Sequence, residues 1–409
     1  MTRFSSVELQ WLAAGANAMR PADIDLLDVE LFRERRQYEA FRVLRDQAPV
    51  HFNPEPDGPG FYALTRHEHV RAVALDATRY CSGRGTQIRD KRAEGTGAPS
   101  VHNADAPVHG RLRVPGLQAL RASLGPELEA RVRQIVRDLI AATPRNKPFD
   151  FVTRVAVRLP MIVFAEVLGV PTEDQEKLVD WANTMSDIHA TDEEQAHSRA
   201  QLFDYFRQLA AEKRKHPGND IASRIVAASR RGDALTDEEL DAYFMLLTVA
   251  GNETTRFLIA SGLEQLLLQP DDLARLRRQR ELVPQTVEEM VRWVSPVVQM
   301  RRTATADCDL FGTPIRTGDK VVLYFASANR DERVFQDAGR FFIDRHPNPH
   351  VGFGAGPHVC LGAELARLEA RAFFEEFLDS IEDCMLCEPG DPLPSNWFAG
   401  LTRLRLEWR

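Results

Sequence analysis

The stretch FGAGPHVCLGAE, Phe353 to Glu364, sets one cysteine, Cys360, between a glycine-rich turn and a predicted helix running from Leu361 towards Leu378. The sulfur is either a packing group or a ligand. A helix N-terminus offers unpaired N–H groups and partial positive charge, which favour a thiolate and predict a lowered thiol pKa. Glycines at Gly354 and Gly356 would let the backbone approach a flat ligand. A second chemical stretch is Ala250-Gly251-Asn252-Glu253-Thr254-Thr255. An acid beside threonines in mid-helix is poor helix chemistry, and Gly251 costs a further ~1 kcal/mol relative to alanine. Its flanks are apolar, so three unfavourable local choices point to a functional site. A third is Glu289-Met290-Val291-Arg292, where acid and base three residues apart share one helix face.

A single anionic sulfur suits haem iron, because it pushes electron density towards bound oxygen. FGAGPHVCLG resembles the haem-binding signature F-x-x-G-x-x-x-C-x-G of the cytochrome P-450 family. The resemblance implies haem b, with Cys360 as axial iron ligand and Phe353, Gly354 and His358 beside the cofactor. Glu289 to Arg292 resembles the family's E-x-x-R, and Arg345 matches its third member, an arginine before the signature. That implies a buried structural network of Glu289, Arg292 and Arg345. AGNETT resembles the oxygen-activation motif, which gives Glu253 and Thr254 catalytic roles in water-mediated proton delivery. MRRTATAD and DAPVHGRLR resemble two further family patterns, adding Arg302, His109 and Arg113 as cations or donors for the haem propionates. Ala106 and Gly110 depart from the pattern. Pro115-Gly116 predicts that the helix after Arg113 is broken, shifted or short.

Most of the chain reads as helix. Apolar spacing predicts helices over Leu124–Ala142, Pro160–Leu168, His197–Lys215 and Thr236–Gln269. The longest opens on a Thr236/Glu239 capping box and stops at Pro270. Strands are predicted at Gly60–Leu64, Lys320–Phe325 and Leu401–Trp408, so the fold class is mainly α with small sheets (α+β). The family resemblance implies a triangular helical prism and a single catalytic domain over 1–409. Within it, 1–30 would be an N-terminal extension. The glycine-rich stretch Ser82–Ser100 reads as a long exposed loop.

The 409 residues carry 52 basic and 60 acidic side chains, a net charge of −8, which argues against a nucleic-acid-coating protein. No apolar run nears the roughly 20 residues of a membrane span, and no signal peptide is evident, so a cytoplasmic protein is expected. Five scattered cysteines are no disulfide framework, and the Cys384/Cys387 pair reads as two cysteines near a strand or turn. The resemblance implies a monooxygenase that takes O2, an apolar small molecule (terpenoid, steroid or aromatic) and electrons from a separate ferredoxin or flavodoxin fed by NAD(P)H. The expected pocket residues are Phe244, Leu247, Ala250, Val297, Val298 and Phe398, with the Ser82–Val101 loop and the Asn183–His189 stretch. Arg84, Arg89, Lys91 and Arg92 read as a solvated run, with an anionic substrate as the lesser reading. A peroxide-driven peroxygenase and a haem sensor are the rival readings.

Overall fold

The computed structural model describes residues 19–89, 98–186, 190–228 and 235–409. The remaining residues include Lys91, Arg92 and parts of the expected Ser82–Val101 and Asn183–His189 pocket segments, which lie outside the described residues.

A five-stranded sheet is built from β1 (Val50–Asn53), β2 (Phe61–Leu64), β3 (Tyr80–Cys81), β4 (Gln299–Ala304) and β5 (Lys320–Tyr324), in the order β1-β2-β5-β4-β3. The strands pair antiparallel except β2 and β5, where Phe61 faces Lys320 and Leu64 faces Leu323 in parallel register. Cys81 pairs with Thr303. That register carries Ser82 to the level of Arg302. Successive side chains of β4 point to opposite faces. Arg301 and Arg302 therefore leave the strand in opposite directions.

The helices include α1 (Val108–Ser123), α2 (Pro126–Ala141), α3 (Arg158–Leu168), α4 (Asp192–Lys215), α5 (Asp237–Leu268), α6 (Val283–Val294) and α7 (Ala363–Ser380). The largest apolar cluster lies among α2, α3, α5, α6 and α7. Two smaller clusters cover the faces of the main sheet. The predicted helices are present, with shifted ends. α4 starts five residues early because Thr191 and Glu194 form a capping box that the helical period did not register. The C-terminal strand is two strands, Leu401–Arg403 and Arg405–Trp408. The expected boundary at residue 31 falls inside packed structure. Ile24 and Leu26 are buried, and Asn53 accepts the Leu26 N–H at 2.7 Å.

The capping box of α5 forms as read. The Glu239 N–H donates to the Thr236 hydroxyl at 3.2 Å, and the Glu239 carboxylate accepts the Thr236 N–H at 3.0 Å. The same carboxylate accepts the Arg111 guanidinium at 2.7 Å, which ties α1 to the start of α5.

α1 corrects the expectation of a broken helix. It runs unbroken through Pro115 for 16 residues. Proline removes one N–H and crowds the preceding turn, at a local cost of ~3 kcal/mol. Packing offsets it: Leu112, Gly116, Ala119 and Leu120 are all buried, and Arg111 pairs with Glu239. Gly116 has its own reason. A Cβ there would lie 1.7 Å from the Tyr243 hydroxyl of α5, so only glycine allows the two helices to touch at this point. Gly116→Ala is expected to cost about 1–3 kcal/mol of overpacking strain, read as a lower denaturant midpoint with an unchanged m-value.

Candidate functional site

Cys360 lies three residues before α7, and its N–H donates to the Phe353 carbonyl at 2.8 Å. The turn between them uses left-handed glycines, Gly354 at φ 75° and Gly356 at φ 70°. At Gly356 a Cβ would sit 2.3 Å from the Ala74 carbonyl oxygen, so this glycine allows a close backbone crossing. Cys360 has accessible surface, yet it is surrounded by protein deeply enough that burial dominates its thiol. Both observations hold if the sulfur faces an internal cleft. The net thiol shift is upward, which corrects the lowering expected from the helix start. The Gly362 N–H, Arg113 and Arg367 all favour the thiolate, but burial outweighs them. A cation that binds the sulfur would reverse that balance by displacing the proton.

Beside the cysteine four donors converge. The His109 and His358 rings are 4.2 Å apart. His358 Nε2 lies 3.2 Å from the Ser82 hydroxyl. Arg113 donates to the Val359 carbonyl at 2.6 Å, next to Cys360. Arg302 is buried and donates to its neighbour's carbonyl, Arg301 O, at 2.9 Å. Burial pushes Arg302 down to about 10. Burial, then repulsion from Arg302, His109 and Arg113, pushes His358 down to about 3. Among the described residues no carboxylate hydrogen-bonds to any of the four. Asp105 is near, but its oxygens accept the Ser82 and Gly83 N–H groups at 2.7 and 2.8 Å. His109 Nε2 is buried with no protein partner among the described residues. These donors suit an anion.

The middle of α5 supplies a third part. Ala250 is exposed, and a Cβ on Gly251 would meet nothing within 4 Å, although the flanking turns are buried. Leu247, Ala250, Gly251 and Thr254 share that face at helical spacing. Thr254 returns its hydroxyl to the Ala250 carbonyl at 2.9 Å. Glu253 pairs with Arg256 at 3.3 Å, and Arg256 lies 4.7 Å over the Phe257 ring. Leu247 is half-buried, as are Val297 and Phe398, which are joined by a β-bridge. Two expected pocket residues are packed away. Phe244 is fully buried against Phe206, about a quarter-turn round α5 from Thr254. Val298 is enclosed in the sheet cluster with Ala326.

Glu289, Arg292 and Arg345 meet in one buried network. Both Glu289 oxygens accept Arg292 at 2.7 Å and Arg345 at 3.0 Å. Glu289 also accepts the Phe342 N–H at 3.0 Å. Arg292 donates on to the Asn329, Ala338 and Arg340 carbonyls at 2.8–3.0 Å. The loop before the cysteine is thereby tied to α6. Other residues escaped the sequence reading. Arg301 holds the near end of the glycine-rich loop, through the Arg84 and Gln87 carbonyls at 3.1 and 3.3 Å. Glu369 on α7 is fully enclosed with no protein partner for Oε2 among the described residues, and burial pushes its carboxyl well above the usual range. An acid between Leu368 and Ala370, four residues before Phe373, was a legible signal of a buried carboxyl. Cys384 opens a short strand against the main core, with burial pushing its thiol up to about 12.

The comparisons with known proteins agree on one family. The family model "Cytochrome P450" matches residues 198–396. The steroid C26-monooxygenase of Rhodococcus jostii is 35% identical over 95% of this chain and 85% of its own. The chain belongs to the cytochrome P450 family. It is therefore an oxidoreductase of the monooxygenase kind, from a family whose members bind haem. Linalool 8-monooxygenase of Pseudomonas putida is 34% identical over 93% of this P450 and 98% of its own length. The solved cytochrome P450 CYP109Q5 of Chondromyces apiculatus superposes with a TM-score of 0.85, at 33% identity, over 95% of this chain and 98% of that one. No helix among the described residues is long and apolar enough to cross a membrane.

The residues present fit a haem. Cys360 has accessible surface, α5 offers a smooth face at Ala250 and Gly251, and the donor cluster with its orphaned His109 nitrogen suits two propionates.

Two stability tests follow. Glu289→Gln leaves two buried guanidiniums under-neutralised and is expected to cost about 3–5 kcal/mol in chemical denaturation. Glu369 is an acid whose folded pKa is raised. It destabilises the fold as pH rises above its unfolded value and leaves it untouched below. Glu369→Gln should therefore raise stability at pH 7, with the gain fading below about pH 4.5; an unchanged stability-versus-pH curve contradicts this.

Proposed function

We propose that this P450 hydroxylates an apolar small molecule of the steroid or terpenoid class, with haem b as cofactor and Cys360 as its iron ligand. The single catalytic domain would draw on O2 and on electrons from a separate ferredoxin or flavodoxin fed by NAD(P)H. The observation that carries the reading is an accessible cysteine beside a cluster of arginines and histidines to which no described carboxylate hydrogen-bonds; the exposed middle of α5 supports it. The names of the relatives, a steroid and a linalool monooxygenase, support the substrate class.

Bound haem would supply the iron centre at which dioxygen is activated for insertion of one oxygen atom into a C–H bond. The chain's own residues do the rest. Arg302 and Arg113 would neutralise the propionates, and His109 and His358 would donate hydrogen bonds to them. Thr254 would hold a proton at its hydroxyl, which leaves the Ala250 carbonyl to bond a water. Glu253 would resupply that proton after leaving Arg256. Leu247, Val297 and Phe398 would exclude bulk water and pack the substrate.

The acid–threonine pair favours this reading over the two rivals. A peroxide-driven enzyme receives its protons and electrons with the peroxide, and a sensor needs no proton relay. The test is a panel of steroids and monoterpenes screened by haem spin-state shift, followed by turnover of the best binder with wild type and Thr254→Ala. Binding should be retained in the variant, while product per reducing equivalent falls several-fold and the balance appears as peroxide. Unchanged coupling would remove Thr254 from the relay. Faster turnover with hydrogen peroxide alone would select the peroxygenase.

A further inference from the structure

Glu288 precedes the buried Glu289 on α6 and points elsewhere, towards the cysteine loop. Its two oxygens accept the Arg367 guanidinium as a fork, Nε to Oε1 at 2.7 Å and Nη2 to Oε2 at 3.0 Å. Such paired bonds fix a guanidinium plane as well as its position. Oε2 also takes His350 Nε2 at 3.0 Å. The Gly352 N–H donates to His350 Nδ1 at 3.3 Å, so the ring proton of the neutral imidazole sits on Nε2, pointing at Glu288.

Both groups that Glu288 holds then flank Phe353. The Arg367 guanidinium lies 4.5 Å from the ring centroid, and the His350 ring lies 6.0 Å away. Phe353 is the residue whose carbonyl accepts the Cys360 N–H. Arg367 is also one of the cations that favour the Cys360 thiolate. The carboxylate is strongly held: burial pushes its pKa up, but hydrogen bonds from His350 and Arg367 bring Glu288 down to about 2. Glu364 reaches Arg367 too, at 2.8 Å, but from an exposed position.

We infer that Glu288 is a positioning residue for the iron-ligating sulfur: by clamping Arg367 and His350 about Phe353, it fixes the backbone that presents Cys360. The inference rests on Cys360 being the haem ligand. Without the carboxylate, the guanidinium loses its plane over the ring and the imidazole loses the acceptor of its ring proton. The Phe353 carbonyl then has no rigid support, and the orientation of the sulfur relaxes.

The test uses the haem-loaded protein in four forms: wild type, Glu288→Gln, Glu288→Asp and Glu364→Gln. Two quantities are read alongside denaturant stability: the haem reduction potential and the lifetime of the thiolate-type Soret band in the reduced carbonyl complex. Glu288→Gln should shift the potential and shorten the band's lifetime several-fold. Glu288→Asp should restore most of both, and Glu364→Gln should match wild type. Wild-type potential and band lifetime in Glu288→Gln would overturn the inference while leaving Cys360 as the ligand. A wild-type protein without the thiolate band would instead remove the reading on which the inference rests. If Glu288→Gln fails to bind haem, Arg367→Lys decides, since it keeps the charge but loses the planar fork. Values shifted as above support the clamp, and wild-type values overturn it.

Discussion

Bringing two arginines and two histidines together beside a cysteine, with no carboxylate among the described residues hydrogen-bonded to any of them, sets the terms for the rest of this molecule. Burying such groups disfavours their charged forms, and the cost shows in the direction of each shift. Burial pushes Arg302 down to about 10, and burial, followed by repulsion from Arg302, His109 and Arg113, pushes His358 down to about 3. The nearby acid, Asp105, spends its oxygens on backbone N–H groups. Such a cluster suits an anion. The propionates of a haem would pair with these donors, and its iron would displace the proton of the buried thiol.

The architecture reads as support for that arrangement. β3 and β4 pair in the register that brings Ser82 level with Arg302. α1 delivers His109 and Arg113, and it can do so only because Gly116 lets it touch α5 at Tyr243. The Glu289 network ties the chain before the cysteine to α6, with donors and acceptors matched around one carboxylate. The neighbouring Glu288 holds the loop from its other side. Together they fix the loop between Arg345 and Cys360, which has little regular structure of its own.

What was legible in the sequence was local. A capping box, a glycine-rich turn before a helix and an acid–base pair three residues apart depend on spacing, and spacing survives in a string of letters. What was not legible was settled by neighbours far along the chain. Pro115 looked like a helix breaker because the packing of Gly116 on Tyr243 and the Arg111–Glu239 pair are tertiary. Phe244 looked like pocket because the apolar stripe of α5 does not say which side faces Phe206. The thiol of Cys360 looked acidic because the helix start is visible in sequence and the burial around it is not. Glu288 passed unnoticed for the same reason. Its partners Arg367 and His350 are more than sixty residues away, and only the fold brings them to Phe353.

The central claim is that Cys360 holds iron. The most direct test is the visible spectrum of the reduced, carbon-monoxide-bound protein, for wild type and Cys360→Ala. With Cys360 as the ligand, wild type shows the strongly red-shifted Soret band of a thiolate-ligated haem, and the variant loses it. A band where histidine-ligated haem absorbs, the same in both proteins, would contradict that claim.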